Sequence, residues 1–287
     1  MPATLVDGKA AAEAVKIEVR GRLEQLATHG VTAGLAIVLV GQHPPSEIYV
    51  KKKLEACRRV GLRATLHRFA RDVDAPTLFG HLAMLNSDPD VHGILVQLPL
   101  PEHLDPKATI DRLDPEKDVD GLHPLNIGRL QTGRAGFIPC TALGVMRLLQ
   151  HHGVSARGKH AVVLGRSAIV GRPVSWLLLR AHATVTTCHR HTADTAKHAA
   201  RADILVSAVG KPGLVTADWV KPGAIVIDVG INRLDDGRVV GDVDFEGVRE
   251  RASLITPVPG GVGPMTVAML LANVASAAER RLASPLG

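Results

Sequence analysis

Short apolar runs alternate with stretches of helical periodicity along most of the chain. The runs are rich in Val, Ile and Leu, and they cover 35–41, 93–100, 161–165, 183–188, 203–210 and 224–230. Runs of this kind are typical of parallel strands that are buried on both faces. The helical patterns lie at about 8–29, 46–60, 75–86, 140–152, 171–182, 192–201 and 264–282. Strands that alternate with helices predict an α/β fold with parallel sheet.

A stretch without clear periodicity separates the two halves of this pattern. Residues 113–139 are rich in Gly, Pro and charged residues, and so long a loop in a compact enzyme is usually functional or inter-domain. We place the domain junction at its end, followed by a bridging helix. The predicted domains are 1–139 plus 268–287, and 140–267.

Composition and charge limit the possible partners. Only 2% of the 287 residues are aromatic, which argues against a surface that stacks the bases of single-stranded nucleic acid. The formal net charge of +6 suggests an anionic partner. The only dense run of basic side chains is Lys51 to Lys53. We therefore favour a phosphorylated or polycarboxylate small molecule over nucleic acid or a membrane surface.

The three cysteines and the N-terminal segment indicate a cytoplasmic protein. Cys57, Cys140 and Cys188 are widely spaced and odd in number, so we expect reduced thiols rather than a disulfide framework. The N-terminal segment has no basic region followed by an apolar run, as a signal peptide would have. The apolar runs elsewhere are too short to span a membrane.

The segment AVVLGRSAIVGRP, residues 161–173, predicts a strand, a glycine turn and a helix that opens near Gly171. In a dinucleotide-binding unit the glycine lets the backbone approach a pyrophosphate, and the start of the helix offers free N–H groups to it. We therefore take Gly165, Arg166, Ser167 and Gly171 as candidate cofactor contacts. A strand, a glycine and a helix alone are weak support, because many such turns use glycine for tightness.

The residues after the next strand sharpen this interpretation. An NAD site usually has an acidic residue there for the ribose 2′-hydroxyl, whereas this chain has His189, Arg190 and His191. Together with Arg166, these cations fit the 2′-phosphate of NADP, although they could also be ordinary exposed loop residues. The spacing of Cys188 and the two histidines fits no common metal site, and we predict no metal.

The segment IYVKKKLEAC, residues 48–57, contains three lysines that need not be equivalent. Ser46 is a plausible N-cap, so the segment predicts a helix. On that helix Tyr49 and Lys53 lie four residues apart on one largely apolar face, whereas Lys51 and Lys52 turn away. A lysine on an apolar face is costly unless it has a function or its amine reaches water. Lys53 is therefore the candidate functional lysine.

These segments belong to a longer series of motifs between Pro45 and Thr266. The series is PPSEIYVKKKLEAC, GILVQLPLP, PEKDVDGLHPLNIGRL, IPCTALG, VVLGRSAIVGRP, ATVTTCH, GKPG, AIVIDVGIN and TPVPGGVGPMTVAMLL. In kind and in order it resembles the bifunctional methylenetetrahydrofolate dehydrogenase/cyclohydrolase family. The departures are small: Pro45 and Ala142 stand where the family more often has Ala and Pro, and Arg190 stands where a serine is common.

The resemblance implies a fold, an activity and partners. Members of the family interconvert 5,10-methylene-, 5,10-methenyl- and 10-formyl-tetrahydrofolate with NADP. The implied fold is an N-terminal α/β catalytic domain and a Rossmann-like NADP domain with a parallel sheet, with the active-site cleft between them. The implied partners are a small-molecule folate and, in a homodimer, a second copy of the chain; nucleic acid and membrane are not expected.

The resemblance also assigns site residues. Tyr49 and Lys53 fall on the family's catalytic pair, Gln97 on the hydrogen-bond partner of the lysine, and Asp120 on the carboxylate that anchors the pterin. The implied folate contacts are Tyr49, Lys53, Val96, Gln97, Leu98, Asp120, Pro259, Gly260, Gly261, Gly263, Pro264 and Thr266, and the implied cofactor contacts are Gly165, Arg166, Ser167, Gly171, Arg190 and Ile231. We take Asp118 as an exposed structural acid of the loop.

The two reactions place different demands on these residues. Loss of hydride from the bridging methylene moves no proton, so that step needs positioning rather than a base. Hydration of the methenyl carbon requires water to lose a proton and a ring nitrogen to gain one. A lysine that is partly neutral near pH 7 can carry that proton.

Two other classes of protein stay open on the sequence. A shikimate dehydrogenase-like NADP oxidoreductase could share the two-domain plan, but it would not need the Tyr49 and Lys53 pair together with the VQLPLP segment. A non-catalytic anion-binding protein would also account for the positive charge.

Overall fold

The computed structural model describes residues 2–283 and divides into two units. The six-stranded unit comprises the N-terminal segment up to Ala12 and Thr141–Thr266. The three-stranded unit comprises Glu13–Cys140 and the chain from Val267 onward. The first twelve residues thus differ from the predicted assignment, because Thr4 and Leu5 pair in parallel with Leu254 and Ile255 of the six-stranded sheet.

The helices and strands are numbered in chain order. The strands are β1 (Thr4–Leu5), β2 (Gly34–Val40), β3 (Arg63–Phe69), β4 (Gly93–Val96), β5 (His160–Leu164), β6 (Thr184–Cys188), β7 (Ile204–Ser207), β8 (Ile225–Asp228), β9 (Asn232–Arg233), β10 (Val239–Val240) and β11 (Leu254–Ile255). The helices are α1 (Gly8–Thr28), α2 (Pro44–Val60), α3 (Ala75–Ser87), α4 (Pro106–Ile110), α5 (Pro124–Gln131), α6 (Cys140–His151), α7 (Gly171–Arg180), α8 (Thr195–Ala199), α9 (Phe245–Arg249) and α10 (Val262–Ala283).

The six-stranded sheet is parallel and has the order β1-β11-β8-β7-β5-β6. Strand β5 lies between β6 and β7, so the strand order reverses beside β5. In open α/β sheets the carboxyl ends of the strands at such a reversal are where ligands bind. Strands β7 and β8 are buried along their whole length, as their unbroken apolar runs predict.

The three-stranded sheet is also parallel and has the order β3-β2-β4. The central strand β2 is completely buried, and Gly93–Val96 of β4 is buried as well. Strand β3 was not predicted from the sequence, because this edge strand has one exposed face and alternates instead of forming an apolar run. The predicted strand at 93–100 ends at Val96, although the Gln97 amide still donates to the Val38 carbonyl at 2.9 Å.

Two helical expectations need correction. Helix α2 begins at Pro44 rather than after Ser46, and the Ser46 hydroxyl is buried 3.0 Å from Nδ1 of His43. Residues 113–139 are not one loop, since they contain α5. His123 caps that helix by accepting from the Leu125 amide at 3.1 Å, and a proline occupies its first turn. Eight residues are too short to show a clear helical period in the sequence.

Helix α10 is apolar over most of its length. Within residues 2–283 it is the one helix long and apolar enough to cross a membrane, a possibility that the short apolar runs of the sequence did not suggest. Its apolar 18-residue stretch is 61% buried inside the protein, as is common for a core helix.

The backbone of Gly121 has no room for a side chain. Its φ is +72°, and an added Cβ would lie 2.6 Å from the Pro139 nitrogen. Gly133 has a similar φ of +75° but open space around the Cβ position. We predict that Gly133→Ala costs roughly 1 kcal/mol through backbone strain alone. Gly121→Ala should cost at least about twice that, because the backbone at Pro139 must also move. Thermal unfolding of the two variants measures the difference; equal losses would contradict the close approach.

Candidate active site

A hydrogen bond joins the lysine and glutamine that the sequence singled out. Lys53 on α2 donates from Nζ to Oε1 of Gln97, just beyond β4, at 3.0 Å. The Gln97 side chain donates in turn from Nε2 to the Leu98 carbonyl at 2.7 Å. Because an ammonium has N–H donors and no acceptor, the Gln97 oxygen faces Lys53 when the lysine is charged. The two ends of the amide are therefore both fixed.

The position of Lys53 on α2 distinguishes it from the other two lysines. Lys51 and Lys52 are exposed, whereas Lys53 is half-buried. Tyr49, one turn earlier on the same face, is 39% exposed, and Cys57, one turn later, is fully buried. Burial raises the pKa of the Cys57 thiol to about 12, so this cysteine stays protonated. The face therefore runs from a surface tyrosine through the lysine into the core.

Asp118 is buried, so the prediction that it is an exposed loop acid was wrong. Its Oδ2 accepts from the His123 amide at 2.7 Å and from Nδ2 of Asn126 at 3.0 Å. Its Oδ1 is buried and has no hydrogen-bond partner among residues 2–283. Burial is the main cause that raises the pKa of the Asp118 carboxyl to about 6. Asp118 is buried because the segment at Lys117 and Asp118 pairs with β4. There the Ile94 amide donates to the Lys117 carbonyl at 2.7 Å.

Asp120 is half-buried and lies against the thiol of Cys140. Burial is the main cause that raises the pKa of the Cys140 thiol well above its usual value, and the charge of Asp120 raises it further. The charge of Lys53 acts on the same thiol in the opposite direction, so Lys53 and Asp120 both lie in the surroundings of Cys140. Of the four predicted catalytic residues, the structure joins Lys53 and Gln97 directly, and Tyr49 lies one turn from Lys53 on α2. Asp120 lies against Cys140 in the same unit.

Asn273 on α10 holds the Asp120 segment, and the sequence analysis missed it. Its Nδ2 donates to the Val119 carbonyl at 2.8 Å and to the Ile138 carbonyl at 3.2 Å. The Cys140 thiol donates to the same Val119 carbonyl at 3.4 Å. A single buried asparagine on an otherwise apolar helix face was the available sequence signal, but it does not reveal what the side chain contacts.

The glycine turn after β5 has the close backbone approach that a pyrophosphate site requires. Gly165 has φ +103°, and an added Cβ would collide with the Ala208 carbonyl oxygen. An added Cβ at Gly171, where α7 begins, would collide with the Gly165 carbonyl oxygen. Side chains are thus excluded at both positions, and this narrow cradle fits a dinucleotide. Arg166 is exposed beside it.

The amides at the start of α7 are not free, which corrects one expectation. The Ser167 hydroxyl accepts from the Val170 amide at 3.2 Å and from the Gly171 amide at 3.3 Å, and the Arg172 amide donates to the Ser167 carbonyl at 3.1 Å. While it accepts these bonds, the hydroxyl keeps its own proton for donation to a phosphate oxygen. Ser167 is therefore the group that this turn presents to an anion.

The cationic residues after β6 adjoin the glycine turn, because the Gly165 amide donates to the Cys188 carbonyl at 2.9 Å. Arg190 is exposed, and its Nε donates to Nε2 of His191 at 3.0 Å. The His191 amide donates in turn to Nδ1 of His189 at 3.2 Å. Cys188 itself is buried in the core of the six-stranded unit. Arg190 and the two histidines thus form one small cluster at the end of β6.

The remaining predicted contacts lie at strand and helix ends. In the three-stranded unit Val96 is buried, and Leu98 is half-buried and followed by a cis peptide bond to Pro99. In the six-stranded unit Ile231, after β8, is 53% exposed. The predicted folate-contacting loop also lies in the six-stranded unit, where Pro259 and Gly263 are exposed, Gly260, Pro264 and Thr266 are half-buried and Gly261 is buried. The Gly261 amide donates to the Pro257 carbonyl at 2.8 Å, and the Thr266 and Thr141 hydroxyls lie 3.1 Å apart.

One unit thus has the strand order and glycine cradle of a Rossmann-type dinucleotide-binding domain, and the other carries a lysine–glutamine pair with a carboxylate. Together they define the class of dinucleotide-dependent α/β enzymes. Residues 6–120 match the tetrahydrofolate dehydrogenase/cyclohydrolase catalytic domain, and residues 139–282 match the NAD(P)-binding domain of the same family. The chain belongs to the tetrahydrofolate dehydrogenase/cyclohydrolase family.

Individual relatives agree with this assignment. The chain is 52% identical to the bifunctional protein FolD of Paracidovorax citrulli over 98% of this chain and 99% of that protein. Among solved structures, the bifunctional FolD enzyme of Campylobacter jejuni has a TM-score of 0.96 and 46% identity over 97% of this chain and 99% of the other. The Trypanosoma brucei enzyme, solved with NADP and an inhibitor, has a TM-score of 0.94 and 41% identity over 99% of this chain and 100% of the other.

The shikimate dehydrogenase-like alternative is not favoured. Shikimate dehydrogenase from Aquifex aeolicus has a TM-score of 0.51 and 16% identity over 88% of this chain and 98% of that one. That likeness concerns the fold alone.

The buried Asp118 generates a prediction on pH and stability. Its folded-state pKa of about 6 lies above the unfolded value of about 3.9, so its protonation favours the folded state. That contribution is complete below about pH 4 and is lost as pH rises through about 6. Relative to Asp118→Asn, the wild type should therefore lose several degrees of melting temperature between pH 4.5 and pH 7.5. Thermal scans across this range test it, with the exposed Asp111→Asn as control; parallel curves for wild type and Asp118→Asn would contradict the assignment.

Proposed function

We propose that the chain oxidises 5,10-methylenetetrahydrofolate to 5,10-methenyltetrahydrofolate with NADP and hydrolyses that product to 10-formyltetrahydrofolate. The observation that carries the proposal is the hydrogen bond from Lys53 to Gln97, in the same chain as the glycine cradle at Gly165 and Gly171. Membership of the family and the FolD relatives support it.

The residues would serve the oxidation by positioning. Loss of hydride from the bridging methylene leaves an amidinium-like cation and moves no proton, so the chain must hold the two reacting carbons at the right distance. We assign Asp120 to the pterin edge, where a carboxylate can accept from two N–H donors at once. Tyr49 is exposed enough to pack against the folate, and Val96 and Leu98 would flank it.

Hydrolysis of the methenyl cation is the step that needs Lys53. Water must lose a proton as it attacks the carbon, and the departing ring nitrogen must gain one as the C–N bond breaks. In the neutral form Lys53 donates one N–H to Gln97, which restricts its lone pair to the two remaining positions on Nζ. We propose that this lone pair takes the proton from water and that the ammonium then returns it to the nitrogen.

Loops of the six-stranded unit would bind the cofactor and part of the folate. NADP held there would supply the hydride acceptor for the oxidation. Ser167 would donate to its pyrophosphate at the tight turn formed by Gly165 and Gly171, with Arg166 beside it. Arg190 would pair with the 2′-phosphate, and Ile231 would contact the cofactor through its backbone. The folate would also contact the loop from Pro259 to Thr266. We further propose a cytoplasmic homodimer; the three buried free thiols are compatible with a reducing compartment.

The experiment that tests this function follows NADPH absorbance after purified protein is mixed with NADP and 5,10-methylenetetrahydrofolate. The same mixture with NAD tests the cofactor, and added 5,10-methenyltetrahydrofolate tests hydrolysis alone. Both activities should be present, with NADP preferred. A protein that binds NADP but turns over neither folate would overturn the proposal and favour a different oxidoreductase.

The three neighbouring lysines allow a matched test of the proton carrier. Lys53→Met keeps the apolar stem but has no transferable proton, so the cyclohydrolase should fall by about 10²- to 10⁴-fold. The dehydrogenase should fall less, because its hydride step moves no proton. Lys51→Met and Lys52→Met are the controls, since both side chains are exposed, and they should stay within a few-fold. Methenyltetrahydrofolate decay and NADPH formation are measured for all three. Similar behaviour of the three variants would refute the role of Lys53.

Arg190 generates a prediction on cofactor choice. Arg190→Ala should raise the Michaelis constant for NADP roughly ten-fold or more, because a charge-assisted contact to phosphate is worth about 1.5 to 3 kcal/mol. The constant for NAD, which lacks the 2′-phosphate, should change little. Arg180→Ala, an exposed arginine at the far end of α7, controls for the loss of charge. An unchanged ratio of NADP to NAD specificity in Arg190→Ala would remove Arg190 from the site.

A further inference from the structure

Two buried carboxylates bond to the loops that follow β7 and β8, and neither belongs to the residues discussed so far. Asp228 is the last residue of β8 and is 3% exposed, and Asp242 follows β10 and is fully buried. A buried carboxylate is costly unless hydrogen bonds compensate for the lost water. Donors from loops at the carboxyl ends of the strands compensate both carboxylates for the lost water.

Asp242 accepts from three consecutive backbone amides of the loop after β7. Its Oδ2 accepts from the Val209 amide at 2.8 Å and from the Gly210 amide at 3.2 Å, and its Oδ1 accepts from the Lys211 amide at 3.0 Å. The Ser207 hydroxyl adds a fourth bond at 3.2 Å. Successive amides of this kind form a concavity that favours an anion, and here the anion is part of the chain.

The same carboxylate also fixes the loop after β8. Asn232 donates from Nδ2 to Oδ1 of Asp242 at 3.0 Å. Gly230, two residues earlier, has no room for a side chain, because an added Cβ would collide with the Asp242 carboxylate. Ile231, the predicted cofactor contact, thus lies between two residues that pack against Asp242.

Asp228 holds Asp242 in turn. Its Oδ1 accepts from the Gly230 amide at 2.9 Å and from the Asp242 amide at 3.0 Å, and its Oδ2 accepts from the Val243 amide at 2.9 Å. An added Cβ at Gly241 would collide with Oδ2 of Asp228. The backbone around each carboxylate is therefore shaped to receive it.

These loops adjoin the glycine cradle. The Ala208 amide donates to the Leu164 carbonyl at 2.8 Å, and the Ala208 carbonyl is the group that excludes a side chain at Gly165. The loop after β7 is therefore packed against the turn proposed for the pyrophosphate. Both loops lie at the carboxyl ends of neighbouring strands next to the reversal of strand order, where a dinucleotide binds.

We infer that Asp242 is a positioning residue for the cofactor, which acts by fixing the loop at Val209–Lys211 and the loop at Ile231 without touching the cofactor itself. This inference rests on the proposed function, because it takes NADP as the ligand that binds at the carboxyl ends of these strands. Asp228 supports Asp242 through the backbone. The carboxylate is needed rather than an amide, because all five of its partners are donors.

The test compares NADP affinity with the cofactor-independent reaction of the same protein. Asp242→Asn keeps the size of the side chain but replaces one of the two acceptor oxygens with an NH₂ group that faces other donors, so the bonds that this oxygen accepted are lost. The NADP dissociation constant, measured by calorimetry, and the Michaelis constant for NADP should both rise ten-fold or more. Hydrolysis of methenyltetrahydrofolate should change far less, because it uses no NADP. Asp235→Asn, an exposed acid of the same unit, should match the wild type in all three measurements.

A second variant covers the case in which Asp242→Asn fails to fold. Asn232→Ala removes one donor and leaves the carboxylate with its amides, so it should raise the NADP dissociation constant about three-fold with little change in melting temperature. Wild-type NADP affinity in a folded Asp242→Asn or in Asn232→Ala would overturn the inference. Equal losses of NADP binding and hydrolysis would also overturn it, because they indicate a general structural role. A wild-type protein that binds no NADP would instead refute the proposed function.

Discussion

The proposed chemistry depends on the hydrogen bond between Lys53 and Gln97. Its two ends are set by different elements, since α2 carries the lysine and the end of β4 carries the glutamine. The backbone amide of Gln97 still donates to the Val38 carbonyl of the central strand, so the completely buried strand β2 fixes the position of the acceptor. A side-chain amide that is held at both ends can direct a flexible lysine at little cost in entropy.

Elsewhere in both units, buried polar side chains also fix the position of neighbouring segments through hydrogen bonds. Lys117 donates to the Leu85 and Asp88 carbonyls at 3.0 and 2.7 Å and so ties the segment before Asp120 to the end of α3. Asn273 holds the other side of that segment, and Asp242 gathers two loops in the six-stranded unit. Each of these groups is costly to bury alone and is stabilised by several bonds to backbone. Loops that carry predicted functional residues are thereby given the rigidity that their own sequences lack.

The sequence predicted those parts of the fold whose pattern is local. Runs of Val, Ile and Leu identified the strands that are buried on both faces, whereas the half-exposed β3 and the short α5 escaped notice. The four-residue spacing of Tyr49 and Lys53 separated one lysine from its neighbours, but the partner Gln97 came from the family resemblance, since Gln97 lies 44 positions after Lys53. Asn273 and Asp242 could not be assigned, because their partners come from segments that only the folded chain brings together. Asp118 was wrongly predicted to be exposed, because only the folded chain shows that its segment packs beside β4.

The central claim is that Lys53, directed by Gln97, moves a proton in the hydrolysis and not in the hydride step. Solvent isotope effects on the two reactions of the wild-type enzyme test this most directly. Hydrolysis of methenyltetrahydrofolate should be slower in D₂O than in H₂O, because water is deprotonated in the transition state. NADPH formation from methylenetetrahydrofolate, measured before hydrolysis of the product contributes, should proceed at the same rate in both solvents. Hydrolysis at the same rate in D₂O, or an equal slowing of both reactions, would contradict the claim.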